Sequence, residues 1–140
     1  MNKPGSDRPR MVESRFEVSS IPVRMRLDEL RRLKDGWLDG LGKAPTAESL
    51  DWLARTFCAQ YSADLPRPYI YPTAEGGVQL EWSLGSREAS LEILLDDRSA
   101  EWHVLDLSSD EQEVRSLNLD EAESWGWLAR RLKELAGALG

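Results

Sequence analysis

A run of short alternating segments between Tyr69 and Leu107 constrains the fold more than any other part of the chain. Apolar and polar residues alternate there with a period of two, and three turn sequences divide the run. This pattern predicts four antiparallel strands in a meander. The predicted strands cover 69–73, 78–84, 87–95 and 100–107, and the turns cover 74–77, 85–86 and 96–99.

The two-residue turn Gly85-Ser86 fixes how the second and third strands pair. A Gly-X loop of this length favours a type II′ hairpin, so Leu84 is expected opposite Arg87. A slip of one residue would move every side chain to the other face, so an apolar match along the strands supports the register. The matching pairs are Trp82–Ala89, Leu80–Leu91 and Val78–Ile93.

The other two turns extend this register across the predicted sheet. Their lengths give the pairs Tyr71–Leu80, Tyr69–Trp82, Ile93–Trp102 and Leu91–Val104. One face is then continuously apolar and requires a cover of helices. The register also sets His103, the only histidine, opposite Glu92 on the other face. That polar face carries Gln79, Glu81, Ser83, Glu88, Ser90, Glu92, Leu94, Glu101, His103 and Leu105.

Three helices are predicted around the meander. The first spans 23–38, with its leucines on one side and its basic residues toward solvent. The second follows the N-cap Thr46 and has apolar residues at amphipathic spacing. The third begins at Asp120, and Glu123 stands three residues later at the spacing of a capping box.

These elements predict an α+β fold in the order ααββββα, a four-stranded antiparallel meander with the helices packed on one face. Residues 1–22, interrupted by prolines and a glycine, are predicted to form a mobile N-terminal arm. Residues 23–140 are predicted to form a single α+β domain. Within it, 108–116 is predicted to be an acidic loop between the sheet and the last helix.

The net charge of −7 is unevenly distributed along the chain. Residues 1–34 carry a net charge of +4, whereas residues 35–140 carry −11. Because phosphate contacts need clustered cations, nucleic-acid binding is not expected of the acidic body and is confined to residues 1–34. The acidic body suits a basic protein partner, or it serves solubility alone.

Cys58 is the only cysteine, so no disulfide can form within one chain. Its place on the predicted apolar stripe indicates a buried, inert thiol. No apolar run approaches the ~18 residues needed to cross a membrane, and the N-terminus lacks the apolar centre of a signal peptide. A cytoplasmic protein without a membrane partner is expected.

His103, together with Glu92 and Glu101, is the arrangement that most suggests chemistry. A carboxylate beside an imidazole tunes a general base, and the same groups are ligands for divalent metals. The chain has no second histidine, phosphate loop, dinucleotide fingerprint, HExxH motif or CxxC pair. These absences favour a non-enzymatic protein with no cofactor and no metal. A metal-dependent enzyme using the three residues is the alternative.

Two segments of the chain resemble a family of small uncharacterised bacterial proteins. Gly36 to Pro45 is similar to the family's Trp-Asp-Gly-x-Gly-Ala-x-Pro turn, although Leu38 is inserted between Trp37 and Asp39. Pro68 to Trp82 is similar to its Gly-Gly-x-x-Leu-Glu-Trp hairpin. The resemblance spans roughly residues 36–105. It implies a bacterial or phage origin and supports the fold, but it implies no activity, cofactor or catalytic residue.

The polar face and the acidic loop together suggest a docking surface for another protein. The hypothesis is a protein-binding or regulatory protein, such as an antitoxin, an immunity protein or a small complex subunit encoded beside its partner. Trp127 joins the candidates because it lies off the apolar stripe of the last helix. The candidate partner-binding residues are Glu81, Glu88, Glu92, Leu94, Glu101, His103, Leu105 and Trp127. Nucleic-acid contact through the basic N-terminal arm and first helix is a further alternative.

Overall fold

Five antiparallel strands and three helices make up residues 22–137, the part of the chain that the computed structural model describes. The helices are α1 (Val23–Leu30), α2 (Ala47–Gln60) and α3 (Ala122–Gly137). The strands are β1 (Tyr69–Pro72), β2 (Val78–Leu84), β3 (Arg87–Leu94), β4 (Ser99–Asp106) and β5 (Gln112–Asn118). They form one sheet in chain order. The α+β class is confirmed, but the sheet has five strands rather than four.

The predicted N-terminal arm lies outside the described residues except for Pro22, which precedes α1. None of the described helices is long and apolar enough to cross a membrane.

One side of the sheet, the inner face, packs against the helices and forms the core. Its buried residues are Ile70, Val78, Leu80, Trp82, Leu84, Ala89, Leu91, Ile93, Ala100, Trp102, Val104 and Leu117. The helices add Leu27, Leu30, Leu50, Trp52, Leu53, Phe57, Trp125, Leu128, Leu132 and Leu135. Removal of this apolar surface from water is the main stabilising contribution to the domain.

The pairing of β2 with β3 confirms the predicted register. Leu84 lies opposite Arg87, and the apolar pairs on the inner face follow as expected. Gly85 has a positive φ of 68°, which the tight hairpin requires and glycine adopts without strain. The conformation of the short loop thus determines the register in which the two strands pair.

The predicted register of β1 is wrong by one residue. Ile70 faces inward and lies opposite Leu80, whereas Tyr69 and Tyr71 face outward. The cause is a loop of five residues, 73–77, where four were expected. The Thr73 hydroxyl accepts a hydrogen bond from the Gly77 N–H at 2.9 Å, and Gly76 has a φ of 86°. One additional loop residue exchanges the two faces of the strand that precedes it.

The predicted register of β4 is wrong by two residues. Ala100 and not Trp102 lies opposite Ile93, because the turn occupies 95–98 and begins one residue earlier than expected. A shift of two keeps every side chain on its predicted face. It changes the cross-strand neighbours, however. His103 lies opposite Ser90, and Glu92 lies opposite Glu101, so the predicted His103–Glu92 pair is absent.

The predicted acidic loop 108–116 is wrong over its second half, which belongs to strand β5. The inward-facing positions of β5 include Glu113 and Arg115, so the apolar alternation that marks a strand is missing. Helix α3 supplies the partners that sequence periodicity does not reveal. Arg131 donates to both Glu113 carboxylate oxygens at 2.9 and 2.5 Å, and the guanidinium of Arg115 lies 4.5 Å above the Trp127 ring.

Two predicted helix boundaries differ from the structure. Helix α1 ends at Leu30 rather than at residue 38, because the chain continues in tight turns through Leu33. Helix α3 begins at Ala122 rather than at Asp120, whose carboxylate instead pairs with Arg98 at 3.3 Å. The predicted cap of α2 is confirmed, since the Thr46 hydroxyl accepts from the Ser49 N–H.

Cys58 is exposed, so the predicted buried thiol is wrong. The buried side of α2 is centred on Leu50, Trp52, Leu53 and Phe57, and Cys58 lies just outside it. The buried arc also includes Trp52, which is absent from the stripe that the sequence predicts, namely Leu50, Leu53, Ala54, Phe57, Cys58 and Tyr61.

The segment 35–44 is a closed turn that rests on the β1–β2 loop. The Asp35 carboxylate accepts from the Ala44 N–H at 2.9 Å, and the Trp37 indole donates to the Lys43 carbonyl at 3.0 Å. Lys43 in turn donates its backbone N–H to Ala74 at 2.8 Å. The two segments that carry the family resemblance therefore contact each other.

Replacement of Gly77 by alanine tests the packing of the β1–β2 loop. A methyl group there would clash sterically with the Ile93 carbonyl oxygen on the neighbouring strand. We expect Gly77→Ala to lower the free energy of unfolding by about 1–3 kcal/mol in urea denaturation. Gly126→Ala is the matched control, because a methyl group in α3 meets only Arg130 at 3.5 Å. It should stabilise the helix by about 0.5–1 kcal/mol. Equal effects of the two substitutions would contradict this packing.

Replacement of Glu113 tests the ionic contact between β5 and α3. The hydrogen bonds from Arg131, assisted by the Trp102 indole and the Arg131 charge, hold the pKa of the Glu113 carboxyl below its usual value. A lowered folded-state pKa contributes stability that is present above the unfolded pKa, and this stability is lost as the pH falls through the folded pKa. Glu113→Gln should therefore flatten the loss of stability below about pH 4.5. Thermal melting across pH 2.5–7 measures this change, and the exposed Glu111→Gln variant should retain the wild-type slope.

Candidate functional site

The candidate site is the side of the sheet opposite the core, called here the outer face. Each of its residues is at least partly exposed, whereas the helices pack on the inner face. Its members are Tyr69, Tyr71, Gln79, Glu81, Ser83, Glu88, Ser90, Glu92, Leu94, Ser99, Glu101, His103, Leu105, Gln112, Val114, Ser116 and Asn118. The alternation of the strands places them there.

Among residues 22–137, the strand residues of the outer face carry charge of a single sign. Its four carboxylates belong to Glu81, Glu88, Glu92 and Glu101, and its members include no lysine or arginine. Glu92 and Glu101 lie directly opposite each other on neighbouring strands. Like charges in this position repel and destabilise a sheet. The centre of the outer face is therefore a concentrated negative charge that the strands themselves do not neutralise.

Polar contacts on the outer face connect neutral groups to the carboxylates. The Gln79 amide donates to Glu81 at 2.6 Å, and the Ser83 hydroxyl donates to Glu88 at 3.0 Å. His103 Nε2 lies 3.2 Å from the side-chain oxygen of Gln112. The histidine thus has an amide oxygen as its hydrogen-bonding partner, in place of the carboxylate that the sequence predicted.

Two shallow depressions divide the outer face. The first, of about 280 Å³, contains Glu92, Leu94 and Glu101 and extends toward β5. The second, of about 210 Å³, contains the predicted residues Glu81, Glu88, His103 and Leu105. The structure therefore brings seven of the eight candidate residues onto one surface, in two adjacent groups. Both depressions are open to solvent.

Trp127 does not share this surface with the other candidates. It lies on α3 at the inner side of the sheet, half-buried. Its ring packs edge-on against Trp102 with the centroids 5.8 Å apart, and Arg115 covers it on one side. These contacts indicate that Trp127 covers the part of the core that lies next to β5.

The described residues contain no group of three or more histidine, cysteine, aspartate or glutamate side chains that could hold a metal ion. Glu92 and Glu101 share a depression, but His103 lies in the adjacent one. The two-residue shift of β4 accounts for this separation, because it moves His103 away from Glu92 along the strand.

Arg26 of α1 and Arg31, which directly follows α1, already form contacts within the chain. Arg26 donates to the Ile70 carbonyl at 2.9 Å and to Glu29. Arg31 pairs with Asp28 and with Asp51 of α2. These contacts fasten α1 to its neighbours and lower the cationic charge that it presents to solvent.

Sequence reasoning missed three apolar or aromatic members of the outer face. Tyr69 and Tyr71 were assigned to the core by the one-residue error in β1, and Val114 was assigned to a loop. Val114 is 58% exposed and lies opposite His103. The β-branched Val114, three residues before the buried Leu117, was a weak strand signal that the surrounding charges obscured.

Comparison with protein-family models, curated proteins and solved structures finds no match for this chain. The properties of the outer face that bear on function are therefore its geometry and its charge.

Replacement of Glu101 by lysine tests the repulsion at the centre of the outer face. The change converts a like-charge pair with Glu92 into an opposite-charge pair, so we expect the free energy of unfolding to rise by about 0.2–1 kcal/mol. Urea denaturation at low and high salt measures the gain, which salt should reduce. Glu111→Lys makes the same change of net charge in an exposed turn and serves as the control. A gain that is equal in both variants would reflect net charge alone.

Proposed function

We propose that this protein is a non-enzymatic binding or regulatory protein that docks a basic protein partner on its outer face. The observation that carries the proposal is the set of four carboxylates on that face without a cation among its members. Complementary charge across an interface accelerates encounter and selects the partner.

The apolar content of the outer face supports the same proposal. Leu94 is 45% exposed and Val114 is 58% exposed, and Leu105 lies partly exposed between Glu88 and Gln112 on the neighbouring strands. Protein interfaces combine apolar contact area with polar surroundings in this way. A basic partner with apolar side chains at its centre would bury these groups and neutralise the surrounding carboxylates.

The repulsion between Glu92 and Glu101 gives the partner an energetic role. In the free protein the two carboxylates lie opposite each other and depend on water and dissolved ions for screening. A lysine or arginine of a partner placed between them would remove this repulsion on binding. Binding of such a partner is then linked to stability, because a ligand specific for the folded state shifts the folding equilibrium toward it.

The proposed biological setting is a small acidic protein encoded beside its partner, such as an antitoxin, an immunity protein or a complex subunit. The net charge of −11 over residues 35–140 supports the proposal that this chain is the acidic member of such a pair. The shallow outer face supports recognition of a protein surface. Metal-dependent catalysis and nucleic-acid contact by residues 1–34 remain predictions from the sequence, and no described contact favours either over protein binding.

Charge reversal on the outer face tests the proposal. The variant Glu92→Lys/Glu101→Lys should lose a basic partner that the wild-type chain retains on purification from the native host. The neighbouring gene products, expressed and purified, provide defined candidates for direct titration. We expect at least about a tenfold loss of affinity, since removal of close charge pairs typically costs more than 1.4 kcal/mol.

The matched control is Glu111→Lys/Glu123→Lys, which makes the same change of net charge outside the outer face. This control should retain the partner with an affinity near that of the wild type. Equal retention by both double variants would place the binding site elsewhere. If none of the neighbouring gene products binds the wild-type chain, the result counts against a partner encoded beside it.

A further inference from the structure

The two edges of the sheet differ in how they are protected. β1 has four residues and ends at Pro72, and its Ile70 carbonyl is occupied by Arg26. β5 has seven residues without proline or lysine. Unprotected edge strands are templates for pairing with another strand. Of the two edges of the described sheet, the edge at β5 is therefore the one available for association.

The backbone hydrogen bonds at both ends of the β4–β5 ladder show which groups of β5 face outward. Leu119 donates to Arg98 and Asp106 donates to Glu111, each at 2.9 Å. Because hydrogen-bonded pairs alternate along an antiparallel ladder, the backbone of Glu113, Arg115 and Leu117 bonds to β4. The N–H and C=O groups of the alternate residues point to the open edge. These residues are Gln112, Val114, Ser116 and Asn118.

One outward group already has a partner. The Asn118 N–H donates to the Ser124 hydroxyl at 3.3 Å, where the chain turns back into α3. The open stretch therefore runs from Gln112 to Ser116, and all three of its outward-facing residues are exposed. Val114 lies at its centre. A two-fold axis through Val114 would pair this stretch with its own copy and leave Asn118 undisturbed.

Charge complementarity selects the same register. With Val114 opposite Val114 of a second copy, Glu113 lies opposite Arg115 of that copy, and the reverse contact follows by symmetry. A register centred on Arg115 would place two guanidinium groups opposite each other. Inward charges often protect an edge strand from pairing. Here their signs alternate, and each charge is already compensated by α3 through Arg131 or Trp127.

We propose that this protein forms a two-fold symmetric dimer in which the β5 edges pair antiparallel about Val114, giving one continuous ten-stranded sheet. The exposed Val114 side chains meet on the outer side of the sheet at the axis. The partner that this edge fits is a second copy of the chain. The dimer does not require the basic partner proposed for the outer face, although Val114 belongs to both surfaces.

Cross-linking tests the register directly. In a Cys58→Ser background, Val114→Cys places two thiols opposite each other at the axis, at about 5.5 Å between Cα atoms, within the range that a disulfide spans. We expect a covalent dimer on mild oxidation, seen on a non-reducing gel. The control Ser116→Cys should cross-link poorly, because its two copies lie roughly 13 Å apart in this register. An equimolar mixture of Gln112→Cys and Ser116→Cys chains should cross-link well.

Sedimentation of the full chain tests the dimer without cysteines. The wild type should approach twice the chain mass with rising concentration. Val114→Pro removes an outward N–H and spares the β4–β5 ladder, so it should weaken the dimer at least about tenfold while secondary structure by circular dichroism is retained. A wild-type monomer at every concentration overturns the proposal. So does a dimer whose position-114 thiols cross-link no better than those at position 116.

Discussion

The paired indoles of Trp82 and Trp102 are the constraint on which the rest of the structure depends. Both are buried on neighbouring rows of the inner face, with ring centroids 5.9 Å apart. A buried indole N–H requires an acceptor, because an unpaired donor in the core is costly. Trp82 donates to the Tyr61 hydroxyl and to the Pro66 carbonyl, each at 3.1 Å, and Trp102 donates to Glu113 at 2.8 Å. These acceptors fix two distant segments of the chain against the sheet.

Each acceptor has consequences for the segment that supplies it. Tyr61, whose hydroxyl also donates to Pro66, holds the end of α2 over the sheet, and burial raises the pKa of its phenol. Glu113 binds Trp102 and Arg131 together, so β5 can carry a charge on its inward side and still complete the sheet. In this position, where an apolar residue is usual, an indole and a guanidinium share one carboxylate.

The same contacts explain how far the sequence could predict the fold. Alternation gave the faces of β2, β3 and β4, and the two-residue turn gave one register, because a tight hairpin leaves no freedom in pairing. The longer loops at 73–77 and 95–98 admit several closures, and their lengths depend on side-chain contacts such as Thr73 with Gly77. β5 escaped prediction because its inward residues are satisfied by α3, a contact distant in sequence that periodicity cannot reveal.

These register differences matter most for the candidate site. A shift of two residues in β4 left the core unchanged, since side chains kept their faces, yet it replaced a histidine–carboxylate pair by two opposed carboxylates. The face alone decides which residues point toward the core, whereas the chemistry of a surface depends on which side chains are neighbours. Seven of the eight candidate residues could therefore be placed on one surface from the alternation alone. Which side chains are neighbours on that surface follows from the loop lengths, and these give two opposed carboxylates in place of a histidine–carboxylate pair.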